Sequence, residues 1–423
     1  MKHHRIPEWL FLVVISAVAG LAELGFVIVN VSSLPILLEQ GLGLASLPGI
    51  AMAIFYTAEA FGNSPMGALA DRVGRRRMMV TGATLSVLTS LGTALIPFKG
   101  VGLTVAIPLL LLMRALDGLG AAMLWPSVFA SVGDRCAPER RARAMTVLNV
   151  TYLSGIAVGP LLAGLANELF GSRYALSDPS RYTPSFVLAA LCFSLAALFS
   201  FVVAPGRSNI DKVPSVPDGI KAFSLTTLKR TWRRIPAVMT LGFIIFFAVG
   251  LIGPYAKTYF MHRFNLSEST FGTALLGPAL CIGLVSVPIG HLTDKWGKTR
   301  AVQLGMALCT VALWLILYVQ SQLLVVILGS LLGVGFVMAF PAYMAYLSDL
   351  ADDHERGGLI GSVRMVQGVG AFIGAAGASV LHSLNGDSQV VFYLSGTLLA
   401  VGTIMSRLTL KEVQRPEKLG ESK

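Results

Sequence analysis

Apolar residues follow one another along this chain in long runs that are separated by short polar segments. Twelve runs lie near residues 8–31, 46–67, 78–97, 103–131, 144–169, 184–205, 236–260, 267–290, 301–319, 322–348, 358–382 and 389–408. A helix that crosses the hydrocarbon core of a bilayer needs about 20 mostly apolar residues. The pattern therefore predicts an all-α polytopic membrane protein with twelve transmembrane helices.

The longest polar interruption divides the twelve runs into two sets of six. Residues 206–235 are basic, contain Pro214 and Pro217, and end in the segment from Lys229 to Arg234. We predict two pseudo-symmetric bundles: an N-terminal six-helix bundle at 1–205, a cytoplasmic linker at 206–235, and a C-terminal six-helix bundle with a cytoplasmic tail at 236–423. The end of the linker is either a solvated tether or a short amphipathic helix on the inner leaflet.

The distribution of charge predicts the orientation of the chain. It is 54% hydrophobic and 13% charged, whereas soluble domains carry about 25% charged residues. In an alternating topology, 27 of the 33 Lys and Arg residues fall on one side and 4 on the other. Cytoplasmic loops carry the excess of Lys and Arg, so we expect both termini in the cytoplasm, in a bacterial inner membrane. The net charge of +11 is then a topology signal and not a sign of nucleic-acid binding.

A charged segment recurs after the second and the eighth run. The first copy runs from Gly67 to Arg77 and the second from Gly290 to Arg300. Asp71 can pair with nearby arginines or a helix N-terminus and hold the cytoplasmic side shut; the alternative is a basic loop that only fixes topology. The repetition predicts two related halves, an arrangement typical of transporters.

Two further segments lie inside apolar runs. Arg114 and Asp117 are three residues apart in the fourth run and share a helical face. Since a charge there is expensive unless it meets water or a partner, they either neutralise each other or Arg114 controls the protonation of a nearby carboxyl group. The fifth run combines small residues, which clear one face, with a proline that kinks the helix. This predicted hinge comprises Gly155, Gly159, Pro160 and Gly164.

Isolated acids suggest coupling to protons. Glu23 lies in the first run and Glu59 in the second. Carboxyl groups inside a membrane are functional more often than not, because they can take up and release a proton; the alternative is a hydrogen bond to a neighbouring helix. The predicted proton-coupling set is Glu23, Asp117, Arg114 and Glu59.

Lys257 follows the Gly253–Pro254 break in the seventh run. It can bind an anionic substrate group, pair with an acid, or extend towards the interface. Aromatic residues and methionine suit a cavity that binds apolar ligands of varied shape. The predicted cavity residues are Asn30, Asn149, Tyr152, Phe246, Tyr255, Lys257, Phe340, Tyr343, Met344 and Gln367.

Taken together, these segments resemble the signatures of the major facilitator superfamily over the whole chain. The resemblance implies that the charged loop is a cytoplasmic gate that stabilises an outward-open state. Lys295 stands where the second copy usually has Arg, which implies a weaker second gate. The matching gate residues are Gly67, Asp71, Arg72, Gly74, Arg75 and Arg76 in the first copy, and Asp294, Gly297, Lys298 and Arg300 in the second.

Other matches are specific to parts of the family. Arg114 and Gly118 resemble the fourth-span signature associated with proton coupling. The stretch from Gly155 to Gly164 resembles the Gly-Pro signature of the drug–proton antiporter branch, which marks export. The stretch from Ile28 to Pro35 resembles a first-span pattern, but one extra residue precedes the Leu-Pro pair. The usual Asp ahead of it is missing, and Glu23 lies about one turn away as a substitute.

We therefore expect a secondary active transporter that exports small amphipathic or hydrophobic compounds in exchange for protons. Alternatives with the same fold are a lipid or glycolipid translocator and a metabolite symporter; a membrane sensor or scaffold would lack coupling. The sequence contains neither a nucleophile–base set nor a phosphate-binding loop, so we do not expect an enzyme. The expected partners are a small-molecule substrate and membrane lipids. We expect a monomer with no metal and no cofactor besides the proton.

Overall fold

The computed structural model describes residues 7–96, 98, 100, 102–136, 138–202, 225–350 and 356–410. The N-terminal half contains α1 Glu8–Val27, α2 Leu34–Ile36, α3 Pro48–Val73, α4 Arg75–Leu95, α5 Leu103–Arg135, α6 Pro138–Gly171, a 3-10 turn Pro179–Tyr182 and α7 Thr183–Val202. The C-terminal half contains α8 Leu225–Arg234, α9 Pro236–Ile252, α10 Ala256–Phe264, α11 Glu268–Trp296, α12 Lys298–Tyr318, α13 Gln322–Leu350, α14 Arg356–Asn385 and α15 Gln389–Thr409.

Most of these helices can cross a membrane. Among the described residues, ten are long and apolar enough, and α8 with α9 would be an eleventh only if the two count as one span despite a bend of 107°. The predicted second span is α3, whose 26 residues include the polar Thr57, Glu59, Asn63 and Ser64. The predicted seventh span is α9 followed by α10. The all-helical, multi-pass fold predicted from the apolar runs is confirmed.

The two halves pack their helices in the same pattern. In the first half, α3 and α4 pack on α5, α1 packs on α6 and α7, and α4 packs on α7. In the second half, α11 and α12 pack on α13, α9 packs on α14 and α15, and α12 packs on α15. The halves meet through α6 with α11 and α3 with α14. By its packing, α3 is equivalent to α11 and α6 is equivalent to α14. A pseudo-two-fold axis therefore relates one of these contacts to the other.

A glycine with a positive φ separates two helices at the same place in each half. Gly74 lies between α3 and α4 with φ 104°, and Gly297 lies between α11 and α12 with φ 89°. Residues with a Cβ rarely adopt this conformation, whereas glycine does so at little cost. The repeated charged segment therefore has the same backbone turn in both halves.

The first span does not end at residue 31. It continues through a π-helical stretch, Ile28–Ser33, then α2, and a second π-helical stretch, Leu37–Gly41. A π-bulge places one additional residue in a helical turn and is frequent at functional sites. The extra residue ahead of the Leu34–Pro35 pair is thus accommodated inside the helix.

The end of the linker is helical. Residues 203–224 lie outside the described part of the chain, but α8 begins at Leu225 and packs against α14. Thr231 is buried, and its hydroxyl lies 3.4 Å from that of Ser362. Trp232 is exposed. Of the two interpretations of this segment, the short amphipathic helix agrees with the structure.

Candidate functional site between the two halves

The halves are in hydrogen-bond contact at the end of the bundle opposite the Asp71 loop. The backbone nitrogen of Ile50 on α3 donates to the Ser379 hydroxyl on α14 at 3.0 Å. The Tyr255 hydroxyl reaches across the halves to the Ala45 carbonyl at 3.1 Å. Tyr255, a predicted cavity residue, is completely buried in this contact. We call this the Lys257 end of the protein, and the opposite end the Asp71 end.

Four polar residues at the Lys257 end form what we call the Lys257 clasp: Lys257, Glu268, Ser32 and Asn167. The Lys257 ammonium lies 3.0 Å from the Glu268 carboxylate and 2.6 Å from the Ser32 hydroxyl. The Asn167 amide nitrogen donates to both Glu268 oxygens, at 3.2 and 3.4 Å. Lys257 and Glu268 belong to the C-terminal half, and Ser32 and Asn167 to the N-terminal half.

All four members of the clasp are buried. A buried ion pair is tolerated when further hydrogen bonds satisfy its remaining donors and acceptors. Here those hydrogen bonds come from the opposite half. Separation of the halves at this end would keep the ion pair but break its hydrogen bonds to Ser32 and Asn167. Of the three roles considered for Lys257, pairing with an acid is the one that the geometry matches.

At the Asp71 end, the described ion pairs join residues of the same half. Arg75 pairs with Asp71 and lies 3.3 Å from Asp134 at the end of α5. In the other half, Lys298 pairs with Asp349. Among the described residues, the predicted gate loop is therefore tied to its own half in this conformation.

Several other gate residues make few contacts here. A Cβ added to Gly67 would lie 3.8 Å from Pro126, an ordinary van der Waals distance. Arg72 and Arg300 are exposed, and Arg76 lies 5.2 Å from the centroid of the Phe201 ring. The side chain of Asp294 lies outside the described part of the structure. Gly67 therefore does not need to be glycine for the contact seen in this conformation. The close helix contact predicted at Gly67 stays a prediction for another conformation.

Two carboxyl groups lie near one another between the helices. Glu23 on α1 is only 7% exposed, and the Tyr152 side chain of α6 is close enough to influence it. Glu59 on α3 is close enough for its charge to act on Glu23. The charge of Arg364, from α14 of the opposite half, acts on Glu59 and Tyr152. Two acids and one base thus line the space between the halves.

The position of Arg364 follows from the packing of α14 on α3. A Cβ added to Gly368 would lie 3.1 Å from Ala60, next to Glu59. Arg364 is one helical turn from Gly368 and therefore on the same face. Arg364 and Asn149, one from each half, are exposed.

The Arg114 signature forms a closed network. Arg114 and Asp117 are both completely buried, and their side chains lie 3.1 Å apart. Arg114 also donates to Thr93 at 3.1 Å and to Asn30 at 3.4 Å. The Thr89 hydroxyl donates to Asp117 at 3.1 Å. Asp117 is thus separated from the space between the halves, and Asn30 contacts Arg114 and not the cavity.

Gly118, the second residue of this signature, lies beside Glu59. A Cβ added to Gly118 would lie 2.9 Å from the Ala58 Cβ and 3.1 Å from the Glu59 nitrogen. Because only glycine permits this approach, α5 packs directly against the backbone that carries Glu59. The signature therefore fixes the position of Glu59 and holds Asp117 away from water.

The predicted hinge in the fifth span contacts two different partners. A Cβ added to Gly155 would lie 2.9 Å from the Leu24 nitrogen and 3.1 Å from the Glu23 Cβ, and one added to Gly159 would meet Val27. Gly164 instead lies against the backbone of Glu268 and Ser269. The middle of α6 thus packs beside Glu23 and its C-terminal part beside the clasp, with Pro160 between them.

The remaining predicted cavity residues divide into two groups. Phe246, Phe340, Tyr343 and Gln367 line a cavity of about 100 Å³ inside the C-terminal half. Met344 is partly buried against the apolar core of the same half. Tyr152 lies beside Glu23, and Lys257 forms an ion pair with Glu268. The ten residues therefore do not form one continuous wall.

Sequence reasoning missed Ser32, Asn167, Glu268 and Arg364. Glu268 begins α11, where an acid is ordinary because it favours the helix N-terminus. An alternating topology places Arg364 among the cytoplasmic cations, although α14 already begins at Arg356. The available signal was its spacing of four residues from Gly368, which places it on a face of small residues.

The chain is similar in sequence to known resistance proteins. The chain is 24% identical over 367 residues to "Multidrug resistance protein 1" of Bacillus subtilis, which covers 85% of this chain and 86% of that protein. It is 25% identical over 363 residues to the class B tetracycline resistance protein of Escherichia coli, with 83% of each covered.

Solved structures with little sequence identity have the same fold. The nucleoside transporter NupG superposes with a TM-score of 0.76 at 12% identity, over 95% of this chain and all of that chain. The xylose transporter XylE of E. coli, in a partially occluded inward-open conformation, superposes with a TM-score of 0.71 at 14% identity, over 98% and 100%.

The fold and the site between its halves define a multi-pass secondary transporter. The model of the Major Facilitator Superfamily matches residues 15–249 and 238–423. The chain therefore belongs to this family, as its charged loops and span signatures predicted. It transports a substrate and is not an enzyme.

Proposed function

We propose that the protein exports small amphipathic or hydrophobic compounds in exchange for protons by alternating access. One arrangement carries this proposal: Glu23 and Glu59 are two carboxyl groups in membrane spans that influence each other's charge, and Arg364 of the opposite half influences Glu59. Acids in such a position bind and release protons as their access to water changes. The named relatives confer resistance to drugs and tetracycline, which favours export.

Glu23 and Glu59 exchange the protons, and Asp117 supports them. The complete burial of Asp117 against Arg114 supports this assignment, since the pair neutralises itself. The Arg114 network positions Glu59 through Gly118 and fixes Asn30 next to the π-helical stretch. This revises the expectation that Asp117 itself carries a coupling proton.

Protonation is linked to the clasp through α6. On α6, Tyr152 and Gly155 contact Glu23. On the same helix, Gly164 and Asn167 contact Glu268 of α11. A change at Glu23 that moves α6 would therefore alter the hydrogen bonds of the clasp. Binding energy can shift the equilibrium only as far as it differs between the two conformations.

The orientation follows from charge. With both termini in the cytoplasm, the Asp71 end faces the cytoplasm and the Lys257 end faces outward. The conformation is then closed outside by the clasp. The Asp71 loop closes the cytoplasmic side in the opposite state, when Gly67 and Asp71 come against the other half. A bacterial inner membrane fits this topology.

Transport in proteoliposomes with an imposed pH gradient tests the proposal. Accumulation of a fluorescent cationic dye should follow the gradient and collapse when a protonophore removes it. Lipids and sugars, tested in the same vesicles, serve as substrates for the alternative transporter types. Transport of any of these compounds without a response to the gradient would contradict proton coupling.

A further inference from the structure

The basic helix α8 meets the seventh span at a sharp bend. The angle between Leu228–Arg234 and Pro236–Ile252 is 107°. Since α9 crosses the membrane and leads to the Lys257 end, α8 lies at the Asp71 end and runs along the membrane plane. A helix in this position is at the level of the lipid headgroups.

One side of α8 is attached to the C-terminal half. Thr231 is buried, and its hydroxyl lies 3.4 Å from that of Ser362 on α14. Leu228 packs against the apolar core of this half. The Arg234 guanidinium donates to the Leu350 carbonyl at the end of α13, at 3.4 Å. These contacts fix the rotation of α8 about its own axis.

Two cations lie on the other side of α8. Lys229 and Arg233 are four residues apart and are therefore neighbours on the helix surface. Each is two residues from Thr231, which places it about 160° away around the helix. Both are exposed. The ten residues of α8 include no acid that could neutralise them.

Trp232 is next to this pair and is 41% exposed. Tryptophan is enriched at the interface between membrane and water, because its ring is apolar and its N–H group is polar. Cations beside an exposed indole match a ligand that has a negative headgroup and an apolar chain. Lipids of the surrounding membrane have this chemistry.

We propose that Lys229, Trp232 and Arg233 form a binding site for the headgroup of an anionic phospholipid. We call these three residues the α8 lipid site. The cytoplasmic leaflet carries the anionic lipids that attract Lys and Arg, and the orientation proposed above places α8 in that leaflet. The headgroup phosphate pairs with the two cations, and the acyl chains pass the indole.

The α8 lipid site is connected to the space between the halves through α14. Ser362, which contacts Thr231, precedes Arg364 by two residues. The charge of Arg364 acts on Glu59 in the opposite half. A lipid that holds α8 in place therefore also supports the helix that brings Arg364 to Glu59.

Quenching of Trp232 fluorescence by brominated lipids tests the site in the full-length protein. The signal of Trp232 is the difference between the unaltered protein and Trp232→Phe, in nanodiscs of phosphatidylcholine. Brominated phosphatidylglycerol should quench this signal at a lower fraction than brominated phosphatidylcholine, because the site attracts negative charge. Equal quenching by both lipids, or quenching by neither, would overturn an anionic site.

Removal of one cation should shift the quenching curve. Arg233→Gln and Lys229→Gln should each raise the phosphatidylglycerol fraction at half-maximal quenching by about fivefold. Lys229→Arg keeps the charge and should stay within about twofold. Arg407→Gln, which removes an exposed cation at the same end of α15, is the control. If it shifts the curve as far as Arg233→Gln does, the attraction belongs to the whole surface and the proposal is overturned.

Stability provides a second measurement. A ligand that binds the native state raises the midpoint of thermal unfolding, so the midpoint should be higher in phosphatidylglycerol than in phosphatidylcholine. The difference should shrink in Lys229→Gln/Arg233→Gln. An undiminished difference in this variant would argue against the α8 lipid site.

Inorganic phosphate distinguishes a lipid headgroup from a free phosphate as the ligand. It should reduce the quenching no more than sodium chloride does at equal ionic strength, since both only screen the cations. Stronger displacement by phosphate would assign a site for free anions and overturn the lipid proposal. All of these measurements are made without a pH gradient, so their outcome is independent of proton coupling.

Discussion

Asn167 of the N-terminal half donates a hydrogen bond of 3.2 Å to the Glu268 carboxylate of the C-terminal half. The helix that carries Asn167 also carries Tyr152, about 22 Å away along the helix axis. Tyr152 lies beside Glu23. One helix therefore contacts both a candidate proton-exchange group and the Lys257 clasp.

Loss of Asn167 should favour separation of the halves at the Lys257 end. Asn167→Ala leaves buried Glu268 with fewer hydrogen bonds, and loss of a partner from a buried ion-pair network costs about 3–5 kcal/mol at most. Distances between spin labels on the two halves should lengthen at this end. Gln40→Ala, which removes an exposed contact to His262, is the control; equal distances in both variants would argue against the clasp.

Gly164→Ala should hinder closure at the Lys257 end, because the added Cβ meets the Glu268 and Ser269 backbones. Gly377→Ala is a matched control, since a Cβ there meets nothing within 4 Å. Both changes raise intrinsic helix propensity by about 1 kcal/mol. We expect slower dye transport only for Gly164→Ala. Equal rates would contradict a tight contact at this position.

Glu23→Gln should abolish the response of transport to a pH gradient, because the amide cannot exchange a proton. Exchange of dye across the membrane without a gradient should continue if the fold is intact. Glu8→Gln, at the start of α1 beside Arg140, provides the control. A Glu23→Gln protein that still concentrates dye in response to the gradient would remove Glu23 from the mechanism.

Asp117→Asn should destabilise the protein by about 3–5 kcal/mol, because Arg114 becomes a buried charge without its ion-pair partner. Replacement of both, as Arg114→Met with Asp117→Leu, should restore much of the stability. Thermal unfolding in detergent measures both effects. A double variant that unfolds as easily as Asp117→Asn would argue against mutual neutralisation.

The sequence was sufficient to predict the fold because long apolar runs and charged loops are local features. The Gly253–Pro254 break and the Arg114–Asp117 pair lie within a few residues and were equally visible. Ser32, Asn167 and Glu268 could not be grouped in this way, since they come from three separate helices. Their encounter depends on how each helix is rotated about its axis, which hydrophobic periodicity does not fix when helices are apolar on nearly all sides.

Arg364 illustrates a second limit. Its charge and its position near a helix end made it resemble a loop cation, and only the register of α14 on α3 brings it beside Glu59. The positions of individual cavity residues depend on the same registers. Composition therefore predicted which types of residue line the site. It did not predict in which half of the protein each of these residues would be buried.

The π-helical stretch Ile28–Ser33 makes the first span tolerant of changes in length. A wider turn takes up an inserted residue locally. The parts of the helix before and after it therefore keep their rotational orientation about the helix axis. Removal of one residue from this stretch should convert it to a regular turn and leave Glu23 and Leu34 beside their present neighbours. Alignments of related first spans should accordingly be allowed a gap within the helix itself.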